Sequence, residues 1–128
     1  MHKIILITGA ILGVLAIVLG AFGAHGLKAH LSPEQLQTFE TGVRYQMYHA
    51  LFLLFIGSTT VVTSGYKTVI FYSVLIGVVL FSGSIYGLAT NTLTNFNFKS
   101  IGFVTPIGGL FLIASWVVLI INFVKLKY

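Results

Sequence analysis

With 128 residues, 57% of them hydrophobic and only 7% charged, the chain has too few polar groups to fold as a water-soluble domain of its size. The absence of cysteine excludes disulfides, thiolate metal sites and cysteine nucleophiles. Its net charge of +5 is scattered along the chain, a distribution that suits anionic lipid headgroups and not nucleic acid.

The fold class that follows is all-α and polytopic: a single membrane domain over 1–128 with four transmembrane helices. Each span takes about 20 residues, which leaves room only for connectors. The first is expected at about 4–24 and is read as a retained helix, not a cleaved signal, because three further apolar runs follow it. Gly9, Gly13 and Gly20, with Ala16 and Ala24, form a small-residue stripe that lets another helix backbone approach closely. Packing within the chain is the plain use of that stripe, and homo-oligomerisation is the alternative.

An interfacial amphipathic helix is expected at about 33–44. Ser32, Pro33, Glu34 and Gln35 spell a helix start: a capping hydroxyl, a proline at the first turn, an acid near the positive dipole end, and capping-box spacing. Leu36, Phe39, Val43 and Met47 then recur on one face. A bend at Gly42 is expected before the second span, about 45–62. Residues 63–67 read as a turn that leaves Tyr66 and Lys67 in the headgroup layer, and the third span as about 69–88, with Gly83 and Gly87 on a close-approach face. Asn91 to Ser100 reads as a polar connector. The fourth span, about 101–124, carries Thr105, Pro106, Gly108 and Gly109 early, so a kink is expected at the proline. Trp116 sits too deep for an interfacial belt, and its indole N–H is expected to find an acceptor on another helix.

Lys3, Lys67, Lys125 and Lys127 fall on one side, against Lys28, Arg44 and Lys99 on the other, so both termini are expected in the cytoplasm.

Chemistry-bearing residues concentrate between residues 40 and 49. Glu40 and Arg44 are spaced for an ion pair along one helix, and Tyr45 and His49 share the same spacing on another face. For His49 the plain reading is a hydrogen bond to a tyrosine or to a carbonyl on another helix; a proton relay or a ligand contact is the sharper one. His25 and His30 lack metal-ligand spacing, and His2 beside the initiator is read as uninformative. With no Asp and only two Glu, no catalytic triad or acid-base pair is evident, which points away from an enzyme. No cofactor motif is present.

Four segments in order, Gly20 to Leu27, Tyr45 to Leu51, Phe81 to Tyr86 and Thr105 to Gly109, together resemble the small membrane-protein family that includes bacterial YgdD and YwdK and eukaryotic transmembrane protein 256. The resemblance implies a compact four-helix membrane fold in a bacterial cytoplasmic membrane, and it carries over no activity. Ser115-Trp116 departs from the Gly-Trp expected of relatives.

The reading is therefore a non-enzymatic binding or scaffold module. It would bury a polar cluster of His25, Glu40, Arg44, Tyr45, Gln46, His49, Tyr86 and Thr105 near one membrane face and take a lipid-like or small amphipathic ligand or a partner protein. The alternative is a small oligomeric transporter or proton-coupled carrier.

Overall fold

A computed structural model describes residues 2–93 and 102–127, and all regular structure among these is helical. The helices are α1 (His2–His25), α2 (Pro33–Ser58), α3 (Ser64–Ala89) and α4 (Val104–Val124), with one 3-10 turn at Asn91–Leu93. At about 1.5 Å per residue each exceeds the roughly 30 Å of a bilayer's hydrocarbon layer. By length and composition α1, α3 and α4 are apolar enough to cross a membrane. α2 has Arg44, Gln46 and His49 in its middle turns and is less apolar.

The helices run up and down in antiparallel succession. Gly9 of α1 lies against Ala50 of α2 and Gly23 against Phe39; Gly42 of α2 lies against Tyr86; Gly77 of α3 lies against Leu112 of α4. The start of α1 and the end of α4 therefore lie at one end of the bundle, and the α1–α2 link and the start of α4 lie at the other. The main core gathers Ile5, Leu53, Ile56, Ile70 and Val74, all without solvent exposure, and a smaller cluster under the α1–α2 link joins Leu27, Leu31, Phe39 and Ala89.

Small residues set the spacing of these seams. A Cβ on Gly9 would stand 3.0 Å from the Ala50 carbonyl oxygen and one on Gly20 3.4 Å from Val43, so the α1 stripe is used within the chain. Ala24 is exposed, and Gly23 takes the place expected for it, its Cβ position being 2.9 Å from the Phe39 ring. On α4, Gly108 leaves no room for a Cβ against the Leu80 and Phe81 backbone, while Gly109 meets the Phe81 ring at an ordinary 3.6 Å. Gly83, expected on a close-approach face, has nothing within 4 Å of its Cβ position, and Gly87 is half-buried.

Several expected boundaries change. The helix expected from about 33 and the span expected to continue from it to about 62 form one helix, which ends four residues early, at Ser58. Its start is the expected one: Ser32 Oγ accepts from Gln35 N at 3.1 Å, and Gln35 Oε1 accepts from Ser32 N at 2.9 Å. α3 begins at Ser64, so the expected turn at 63–67 is already helical and Lys67 lies inside it. Pro106 falls in the first turn of α4, where amides have no intrahelical acceptor to lose, so the physical reason for a kink is gone. The expected connector from residue 94 to Ser100, with Lys99 in it, falls outside the described residues.

Candidate functional site

The eight residues expected to form one polar cluster separate into distinct sets. Gln46 and Tyr86 make a chain across three helices: Tyr86 Oη donates to Gln46 Oε1 at 2.6 Å, and Gln46 Nε2 donates to the Leu12 carbonyl at 2.9 Å. Gly42 admits this approach, since a Cβ there would lie 2.7 Å from the Tyr86 ring. Nearby, Ser82 Oγ, fully buried on α3, donates to the Gly42 carbonyl at 2.8 Å. Thr105 turns to α3, its hydroxyl 2.5 Å from Ser84 Oγ.

His49 stands apart from that chain and faces α4. Trp116 Nε1 donates to His49 Nε2 at 3.1 Å, so the ring proton resides on Nδ1, which donates to the Tyr45 carbonyl at 2.7 Å. The indole thus finds its acceptor on another helix, as expected. His49 itself uses a carbonyl on its own helix, and the Tyr45 hydroxyl takes no part. Phe52 stacks on Trp116 with ring centroids 4.0 Å apart and fixes the indole plane.

His25, Glu40 and Arg44 are exposed and join neither set. The expected Glu40–Arg44 ion pair is not formed among the described residues: Arg44 Nη2 donates to Thr41 Oγ1 at 3.1 Å. Helical spacing permits such a pair, but exposed on a helix it is worth only a few tenths of a kcal/mol, too little to fix one rotamer.

Beside His49 the surface opens into a pocket of about 330 Å³, lined by Tyr45 and His49 of α2, Phe81 of α3, and Gly109, Leu112, Ile113 and Trp116 of α4. The Tyr45 ring stacks on Phe81 at 4.9 Å. Apart from His49 and Trp116, whose nitrogens are engaged, and the Tyr45 hydroxyl, the lining side chains are apolar. The glycine at position 109 gives the pocket part of its depth.

A second polar assembly, at the end holding the termini, is absent from the sequence-based cluster. Lys67 is 1% exposed, and its Nζ donates to the Thr59 carbonyl at 2.7 Å and to His2 Nδ1 at 2.9 Å. With Nδ1 accepting, the Gly57 carbonyl at 3.3 Å is a neighbour of that nitrogen and not its acceptor. Carbonyls at the C-terminal end of α2 carry partial negative charge, which suits the ammonium in place of an acid. Asn122, 2% exposed, clamps the α2–α3 link: its Nδ2 donates to the Val61 carbonyl at 2.9 Å and its Oδ1 accepts from Thr63 N at 3.2 Å. His2, read as uninformative from its place beside the initiator, is therefore a bonded residue. The signals were present: Lys67 shares helical spacing with Ile70, Phe71 and Val74, and Asn122 is an amide inside an apolar run.

Comparison with known proteins gives a consistent picture. A family model described as a protein of unknown function, DUF423, matches residues 19–109, which include the Tyr86–Gln46 bond and the α2 side of the pocket. The UPF0382 membrane protein SH2409 of Staphylococcus haemolyticus is 42% identical over 123 residues, covering 96% of this chain and 97% of the relative. YwdK of Bacillus subtilis, also named a UPF0382 membrane protein, is 41% identical over 125 residues, covering 96% and 98%. The UPF0382 membrane protein SSP2132 of Staphylococcus saprophyticus is 40% identical over 124 residues, covering 97% and 99%. No solved structure matches. With similarity running through nearly every residue of all three relatives, the chain belongs to the DUF423 family of membrane proteins.

Proposed function

We propose that the protein is a non-enzymatic module of the cytoplasmic membrane that holds a lipid-like amphiphile in the pocket between α2, α3 and α4. The observation that carries this reading is the pocket itself: about 330 Å³, within the roughly 300–1,000 Å³ of small-molecule sites, with aromatic and aliphatic walls. The hydroxyl of Tyr45, a lining residue, has no partner among the described residues and is available to a polar head, while a tail lies against Phe81, Ile113 and Trp116.

In this reading all four helices cross the bilayer. α2 packs along α1 from Gly57 beside Ile5 to Phe39 beside Gly23, so it shares the depth of a helix apolar throughout. Its two deepest polar side chains, Gln46 and His49, are only 4% and 5% exposed and hydrogen-bonded, the condition under which such groups are tolerated in hydrocarbon. The carrier alternative draws less support, because both nitrogens of His49 are committed to fixed partners and a relay needs one that exchanges.

Native mass spectrometry of the protein released in mild detergent tests the proposal. A stoichiometric amphiphile is expected on the wild-type chain and is lost on Ile113→Trp, which fills the pocket, with helix content unchanged. An adduct that survives Ile113→Trp, or none on the wild type, overturns it.

A further inference from the structure

The pocket between α2, α3 and α4 offers a ligand very little that is polar. Among the described residues no charged side chain lines it. His49 accepts from Trp116 at Nε2 and donates to the Tyr45 carbonyl from Nδ1, so its ring is neutral and both nitrogens are spent. The indole N–H is spent in the same bond. Gly109, Leu112 and Ile113 lie past the first turn of α4, and the other lining residues lie inside α2 and α3, so their backbone groups are used along the helices. The Tyr45 hydroxyl is what remains, a single group able to donate one hydrogen bond.

This inventory is selective against the common membrane amphiphiles. A phosphate, carboxylate or ammonium head needs a counter-charge in so apolar a setting, and a polyol head would leave several hydroxyls without partners. The walls add a preference of shape. Tyr45 stacks on Phe81 with ring centroids 4.9 Å apart. Phe52 stacks on Trp116 with planes 7° apart and is not itself a lining residue, so the opposite face of the indole is the one open to a flat head. The bond to His49 and the stack on Phe52 hold that face in place before any ligand arrives. Ile113 and Trp116 are 60% and 45% exposed, which gives the pocket a side mouth through which a tail can leave.

We infer that the occupant is an isoprenoid quinone, a narrowing that rests on the pocket reading above. Its head is neutral, planar and conjugated, and stacks on an indole face as aromatic rings do. A ring carbonyl accepts from the Tyr45 hydroxyl, which meets the one polar group the pocket has free. Its apolar tail leaves by the mouth beside Ile113 and stays among the lipid chains. The volume of about 330 Å³ lies near the lower end of small-molecule sites and suits one ring head.

Trp116 is the one tryptophan of the chain, so tryptophan emission reports on this pocket alone. Decylubiquinone titrated into the full-length protein in mild detergent is expected to quench that emission saturably, at one quinone per chain. Tryptophan octyl ester in the same micelles supplies the collisional baseline, which does not saturate. Tyr45→Phe should weaken binding about fivefold, the loss of one neutral hydrogen bond. Gly109→Leu, which fills the pocket, should remove the saturable part with helix content unchanged. Quenching no steeper than that of the ester, an unaltered curve in Tyr45→Phe, or displacement by equimolar dioleoylglycerol or cholesterol overturns the quinone. Native mass spectrometry separates this outcome from failure of the pocket reading. An adduct with the mass of a glycerolipid, lost on Ile113→Trp, would keep the pocket and overturn the quinone, whereas no adduct and no saturable quenching would overturn both.

Discussion

The two ends of the bundle handle polar groups in opposite ways. The end formed by the α1–α2 link and the first turns of α2 is rich in them, yet His25, Lys28, His30, Glu40 and Arg44 are all exposed. The end that holds the start of α1 and the end of α4 also leaves Lys3, Ser64 and Lys125 exposed, but there two polar side chains, Lys67 and Asn122, are almost fully buried and bonded to backbone carbonyls or amides. Polar density along a membrane sequence therefore marks side chains left on the outside of the bundle, whereas a buried network is marked by helical register: a single polar residue in phase with the apolar core.

The sharpest way to break this contrast is charge reversal at each end. Lys67→Glu sets a carboxylate against the Thr59 and Gly57 carbonyls and should lower unfolding free energy in mild detergent by on the order of 3 kcal/mol; Lys28→Glu should leave the melting midpoint unchanged. Equal losses would erase the distinction between the ends. Next in size is Asn122→Leu, which strands the Thr63 amide and the Val61 carbonyl and should cost about 2 kcal/mol, with faster hydrogen exchange confined to residues 59–63. Tyr86→Phe removes one bond to Gln46 and should cost about 1 kcal/mol by thermal unfolding, a loss that should vanish in a Gln46→Leu background if the two act as one chain. The smallest effect belongs to Trp116→Phe. It keeps the stack on Phe52 but frees His49 Nε2, so a change of about 0.5 kcal/mol is expected together with a shifted imidazole resonance in NMR spectra.

What the sequence disclosed follows the range of the interactions involved. The α2 start was legible because capping is decided within four residues of Ser32. The α1 stripe was legible because the spacing of small residues is also the spacing at which helices interlock, with Ala24 the one position displaced. Lys67 escapes a local reading: Ser64 and Gly65 read as a turn, and a start of α3 five residues late puts a buried lysine at the surface. Pro106 was misjudged likewise, since two or three residues decide whether a proline removes a hydrogen bond or only an amide that had none to make. The pairing of His49 with Trp116 spans 67 positions and that of Gln46 with Tyr86 spans 40, and no local pattern in either partner specifies the other. The candidate residues between 40 and 49 were identified as a group, but which of them turn inward depends on where α3 and α4 pack.

The chain of bonds from Leu12 through Gln46 to Tyr86 also bears on biosynthesis. In the four-span reading, a protein threaded into the membrane from its N-terminus completes the α1–α2 hairpin first, and at that stage Gln46 Nε2 can reach the Leu12 carbonyl while Oε1 faces lipid without a donor. The arrival of α3 supplies the Tyr86 hydroxyl, and with it Ser82 for the Gly42 carbonyl. The hairpin thus carries into the bilayer an unmet demand that its successor alone answers, which favours release from the insertion machinery as a set of at least three helices and disfavours escape of the first two.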